Sequence, residues 1–141
     1  LVASSALYQN LRDALLGAWH GAERIEIASY DGRTFGLEAG LTIDERYVSD
    51  DVLESAQATL EAAFAFEARA LGQGVTAGEV MAVLQGVEGV VAVDLDTLDG
   101  RDALRHPRLL ARRARRERGR VRPAQLLTLD PAAVTLFEVV A

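Results

Sequence analysis

The polar and apolar positions of this chain change period several times, and each change marks an element. Leu7, Leu11, Ala14, Leu15 and Ala18 recur at helical spacing. They predict an amphipathic first helix that starts near Ser4 or Ser5 and ends at Trp19, before Gly21. Residues 23–30 read as a strand with Ile25 and Ile27 on one face, and Asp31 and Gly32 form a hairpin-type turn signal. Over residues 33–44 the alternation is cleanest. Phe35, Leu37, Ala39, Leu41 and Ile43 fall on one side, and Gly36, Glu38, Gly40, Thr42 and Asp44 on the other, as in a half-buried strand with one wet face. The helical period then returns with Val52, Ala56, Leu60, Ala63, Phe64 and Leu71, while Glu54, Gln57 and Glu61 fall largely opposite. Ser49 is the expected cap of this helix, Asp50 and Asp51 suit its dipole, and Gly72 and Gly74 are the expected stop. Thr76 and Glu79 make a T-x-x-E capping box for a short helix with the stripe Val80, Val83, Leu84 and Val87, ended by Gly86 and Gly89. Residues 90–96 are a valine-rich strand, residues 125–129 a short strand, Asp130 and Pro131 a turn, and residues 134–140 a closing strand.

The resulting order is α, β, β, α, α, β, arm, β, β. It predicts the α+β class: a mainly antiparallel sheet with helices packed on one face, plus a basic insertion arm at about residues 99–122. The expected core joins the long helix, the short helix and the strands at 33–44, 90–95 and 134–140. Core packing is also the expected place of Trp19, Tyr30, Tyr47, Phe64, Phe66 and Phe137. Phe64 and Phe66 lie two apart on a helix and do not share a face, so one packs inside and the other is free for a partner.

Composition narrows the chemistry. The 141 residues are half hydrophobic, which favours one folded domain over disorder. There is no cysteine, so disulfides, thiolate metal sites and cysteine nucleophiles are excluded. No uncharged apolar run approaches the roughly 20 residues of a membrane helix. The chain opens on Leu1, not methionine, and is read as a fragment of a longer protein.

Charge is unevenly placed. All fifteen basic residues are arginine. Ten of them lie between Arg101 and Arg122, against Asp102 and Glu117, so that segment carries +8 and the remainder −14. Arg105, Arg108, Arg112 and Arg116 fall at helical spacing, and a mobile or partly helical arm is expected. Arg105, Arg108, Arg112, Arg113, Arg115 and Arg116 are the candidate partner-contact residues. Three uses stay open: contact with an acidic face of a neighbouring subunit, a solvated insertion, or neutralisation of nucleic-acid phosphates. No aromatic residue is interleaved with the arginines for base stacking, and the acidic body opposes a polyanion.

Other motifs read blandly. Asp94, Asp96, Asp99 and Gly100 fail the calcium-loop spacing, since Arg105 stands where the bidentate glutamate belongs. Gly72, Gly74 and Gly78 do not follow a strand, and a chain without lysine has no phosphate-loop lysine; an interhelical turn explains them. His20 and His106 have no partner at ligand spacing. No catalytic residue, cofactor site or metal site is expected, and catalysis is not the expected activity.

One set of words carries a resemblance. F-x-F-x-x-R-x-x-G-Q-x-V-T-x-x-E-V falls on Phe64, Phe66, Arg69, Gly72, Gln73, Val75, Thr76, Glu79 and Val80. Q-x-V-x-G-V-x-x-V follows on Gln85, Val87, Gly89, Val90 and Val93. The series resembles the C-terminal region of baseplate J-like proteins, in particular baseplate assembly proteins of contractile phage tails and related injection systems. The similarity runs from about Leu7 to Val140 and is weakest over the arm. It implies a structural role, with other wedge or tail subunits or further copies of the chain as partners. It also implies a place in the cytoplasm during assembly and then in a tail or tail-like particle. The alternative is a nucleic-acid-binding module that uses the arm.

Overall fold

The computed structural model describes residues 30–140, together with residues 6, 9–11, 13 and 14, whose backbone is helical. The rest of the expected first helix, Trp19, His20 and the strand expected before Tyr30 lie outside the described residues.

The centre of the fold is the strand whose alternation is cleanest, β1 (Asp31–Ile43). Phe35, Leu37, Ala39 and Leu41 are all buried on one face. Beside it runs β3 (Val90–Leu98), antiparallel, which continues into the two-residue β4 (Arg101–Asp102). On the other side β8 (Gln125–Glu138) runs parallel to β1, giving the sheet order β4-β3-β1-β8. Two helices, α1 (Ser49–Ala63) and α2 (Ala77–Gln85), cover the inward face. Val52, Ala56 and Leu60 from α1 and Val80 and Leu84 from α2 join Phe35, Leu37, Leu41, Leu95 and Leu98 in one hydrophobic cluster. The α+β class, with helices on one face, is therefore what the chain forms. Two short pairs complete it: β2 (Val75–Thr76) with β5 (Arg108–Leu109), and the hairpin of β6 (Arg115–Glu117) with β7 (Arg120–Arg122).

Several local expectations are corrected. Asp31 and Gly32 do not turn; they open β1 and pair with Gln125 and Leu126, because the parallel partner supplies a ladder there. Ser49 is the first helical residue of α1, not its cap; Val48 takes the cap position and makes no side-chain bond. That helix ends at Ala63, well before Leu71. Phe64 leaves helical geometry to bury its ring, a 3₁₀ turn follows at Phe66–Ala68, and Leu71 is exposed. Of the aromatic residues expected inside, Phe64 is buried, while Tyr30, Tyr47, Phe66 and Phe137 are exposed. Tyr30 and Phe66 pack on each other, ring centroids 5.9 Å apart.

Asp130 and Pro131 are not a turn between two strands. They sit in a wide bulge inside β8, where the register advances from Leu129 to Val134 while β1 advances only from Phe35 to Leu37. A bulge is where a strand tolerates a proline that cannot donate to the ladder. Gly36 lies beneath it. A Cβ on Gly36 would stand 2.5 Å from the Ala133 carbonyl oxygen, so only glycine lets the bulged backbone close on β1.

Candidate partner-contact surface

The conspicuous sequence words around Arg69 fold into one interlocked network. The capping box forms halfway: Thr76 Oγ1 accepts from the Glu79 amide at 3.1 Å, but the Glu79 carboxylate turns to Arg69. The Arg69 guanidinium lies 5.3 Å over the Phe64 ring and donates to Glu79 Oε1, to the carbonyls of Gln73 and Gly74, and to the Leu127 carbonyl on β8. Gln73 Oε1 accepts from the Ala70 amide, the Gly72 amide donates to the Gln125 carbonyl, and Val75 and Val80 are fully buried below. These residues lock the connection between α1 and α2 onto the sheet.

The arm, which carries the candidate partner-contact residues, contains no helix. Residues 101–122 hold β4, β5, β6 and β7, so the helical spacing of Arg105, Arg108, Arg112 and Arg116 does not become a helical face. The physical reason is the pair of two-residue turns. Asp99–Gly100 and Arg118–Gly119 both have positive φ at each position, the conformation of the tight hairpin turn that matches strand twist. Each closes a ladder: Leu98 against Arg101, and Glu117 against Arg120.

The arm is fastened at its base by Gln125, which is buried. Its amide donates to the Arg112 carbonyl at 2.7 Å, and its Oε1 accepts from the Arg112 amide at 2.8 Å. Its Nε2 donates to Asp31 Oδ2 at 3.4 Å. The Arg112 side chain donates twice to the Pro123 carbonyl and stands 3.6 Å from Asp31 Oδ2. Among the described residues no buried side-chain polar atom lacks a partner.

The six candidate contacts are thus separated by role. Arg112 is half-buried and holds the base. Arg113 is exposed and passes over Gly72. Arg115 and Arg116 stand on β6; Arg115 is directly across from Arg122, and two like charges so placed repel. Glu117 relieves this by pairing with both Arg115 and Arg122. Arg105 is in the exposed loop after β4, and Arg108 on β5 lines a different cleft from Arg112, Arg113 and Arg115. Sequence reasoning missed Arg33, which the fold brings to the Arg108 cleft from β1. It also missed the hairpin, although the Arg118–Gly119 pair between short charged stretches was a usable signal.

Asp94 and Asp96 are exposed on β3, and Asp99 is in the hairpin turn. Among the described residues no three His, Cys, Asp or Glu side chains group as a metal site would need, and no helix is long and apolar enough to cross a membrane. Outside the arm, one ion pair is notable. Arg46 donates to both Asp44 oxygens, and this bonding pulls the Asp44 carboxyl down to about 2 and raises the Arg46 guanidinium. Nearby, the Tyr47 hydroxyl donates to Glu88 Oε1 at 3.0 Å, and that bond with the carboxylate charge pushes the phenol up.

No protein-family model and no curated protein sequence matches the chain.

Proposed function

We propose that this chain is a structural component of a contractile phage-tail-like baseplate, or of a related injection system, and acts by protein–protein assembly without substrate or cofactor. The resemblance of its central words to baseplate J-like proteins motivates the reading. The observation that carries it is the form of the charged arm: an arginine-rich hairpin held at its base by Arg112, Gln125 and Asp31 and projecting exposed arginines. A charge run kept only for solubility needs no such anchoring. An ordered cationic hairpin on an acidic chain offers an acidic neighbour both a shape and a complementary charge, which chiefly sets specificity and association rate.

The test neutralises the hairpin and leaves its base intact. Arg115, Arg118, Arg120 and Arg122 are replaced together by glutamine, and the variant is reconstituted with neighbouring tail proteins. Assembly should slow or fail, and the parent's assembly should weaken as salt rises, since exposed charges are screened beyond about 8 Å at physiological ionic strength. Unchanged assembly, together with loss of a steeply salt-dependent retention of the parent on DNA, would replace this reading with the nucleic-acid one.

A further inference from the structure

Three arginines from three different strands meet at one cleft. Arg33 comes from β1, Arg101 from β4 and Arg108 from β5, and all three line a concavity of about 310 Å³. Its apolar wall is Leu109, Leu110 and Leu127, and Thr34 and Asp99 complete the lining. Leu127 is buried and sits beside Arg33 in the β1–β8 ladder. None of the three guanidinium groups has an ion pair or a hydrogen bond to a described residue, unlike Arg46, Arg69, Arg112, Arg115 and Arg122. Among the described residues Asp99 is the single acid of the lining. Its position in the turn before β4 is fixed by its amide, which donates to the Gly36 carbonyl at 2.7 Å.

We propose that this cleft is a binding site for a phosphate-class dianion. Three permanent positive charges and the one negative charge of the described lining leave +2, which a dianionic phosphoryl group balances and a single carboxylate does not. Guanidinium forks match phosphate oxygens in bidentate geometry, and a concavity lined mainly by charges of one sign concentrates their field. The cleft is at the small end of ligand-site volumes and has room for a phosphoryl group together with part of what carries it. The fold supplies the reason that the three arginines meet. The hairpin turn at Asp99–Gly100 returns Arg101 alongside Leu98, and the β2–β5 pairing brings Arg108 over the same end of the sheet. The site is independent of the assembly role proposed above.

The test is calorimetric titration of the whole chain at fixed ionic strength. Inorganic phosphate is one arm, O-phosphoserine a second and a short single-stranded DNA oligonucleotide a third, with sodium chloride as the blank. Phosphate should bind saturably, and Arg101→Gln and Arg108→Gln should each weaken it about tenfold, since a charge-assisted bond is lost in each case. All three arginines are exposed and have no ion pair or hydrogen bond among the described residues, so these variants should keep the parent's melting temperature in phosphate-free buffer. The control is the double variant R118Q/R120Q, which removes from the β6–β7 hairpin twice the charge that either single variant removes and should still leave phosphate affinity unchanged. Equal binding of phosphate and O-phosphoserine would assign a free ion as sufficient ligand; clear preference for O-phosphoserine would assign a phosphoryl group carried on a larger partner. A response no greater than that to chloride would overturn the proposal. So would equal weakening by R118Q/R120Q, or binding only of the oligonucleotide, because each would reduce the cleft to part of a diffuse basic surface.

Discussion

Arg69 and Glu79 meet at 3.1 Å, and the pair is lopsided: the arginine side chain is 2% exposed and the glutamate 37%. The short spacing T-x-x-E assigns Glu79 to the end of its own helix, yet a residue ten positions earlier takes its carboxylate. The buried guanidinium needs an anion and several carbonyls more than the helix end needs a second cap, which Thr76 already serves through the Glu79 amide.

That asymmetry makes a prediction. Arg69→Met leaves the carbonyls of Gly74 and Leu127 short of a donor and Glu79 without its cation, and should cost about 3 kcal/mol. Glu79→Gln keeps a hydrogen-bond acceptor at a site that water reaches, and should cost about 1 kcal/mol or less. Urea unfolding of both variants checks the order; equal costs would mean that the network does not hinge on the arginine.

Leu60 is fully buried between α1 and the sheet. Leu60→Ala should cost about 2–5 kcal/mol through lost transfer energy and the cavity left behind. An unchanged melting temperature would contradict the packing of α1 on the inward face of β1.

Gly36→Ala should destabilise by about 1–3 kcal/mol, because the new methyl group meets the Ala133 carbonyl oxygen of the bulge. Ala133→Gly should fail to restore the loss, since the obstacle at 2.5 Å is backbone. Rescue by that second change would show the bulge to be looser than the β1–β8 register requires.

The Asp44 carboxyl, held at about 2 against an ordinary 3.8 by its bonds to Arg46, should show that depressed value when its side-chain carbon is followed by NMR as acid is added. Its folded value is depressed, so its contribution to stability is fully present above 3.8 and is lost as the pH falls through about 2. Arg46→Gln should return the titration towards 3.8, and a value that stays near 2 would assign the depression to another group.

The strong periods were legible in the chain alone. The alternation from Phe35 to Ile43, the stripe from Val52 to Leu60 and the Thr76 start signal each depend on neighbours a few residues away, and each became the expected element. That Phe64 and Phe66 do not share a face also follows from two-residue spacing near a helix end, while the tertiary packing decided that Phe64 is the one inside. The +8 arm is a property of composition and needs no fold. Long-range pairing decided the rest. Whether Asp31–Gly32 turns or extends depends on β8, about ninety residues later, which offers a parallel ladder. Whether Asp130–Pro131 separates two strands or bulges within one depends on Gly36 leaving room. The arm's arginines became a hairpin and a cleft because positive-φ turns and the β2–β5 pairing outweighed a helical spacing that had too few apolar anchors to bury. Arg33 joins Arg101 and Arg108 only in three dimensions, since no local pattern encodes the meeting of three separate strands.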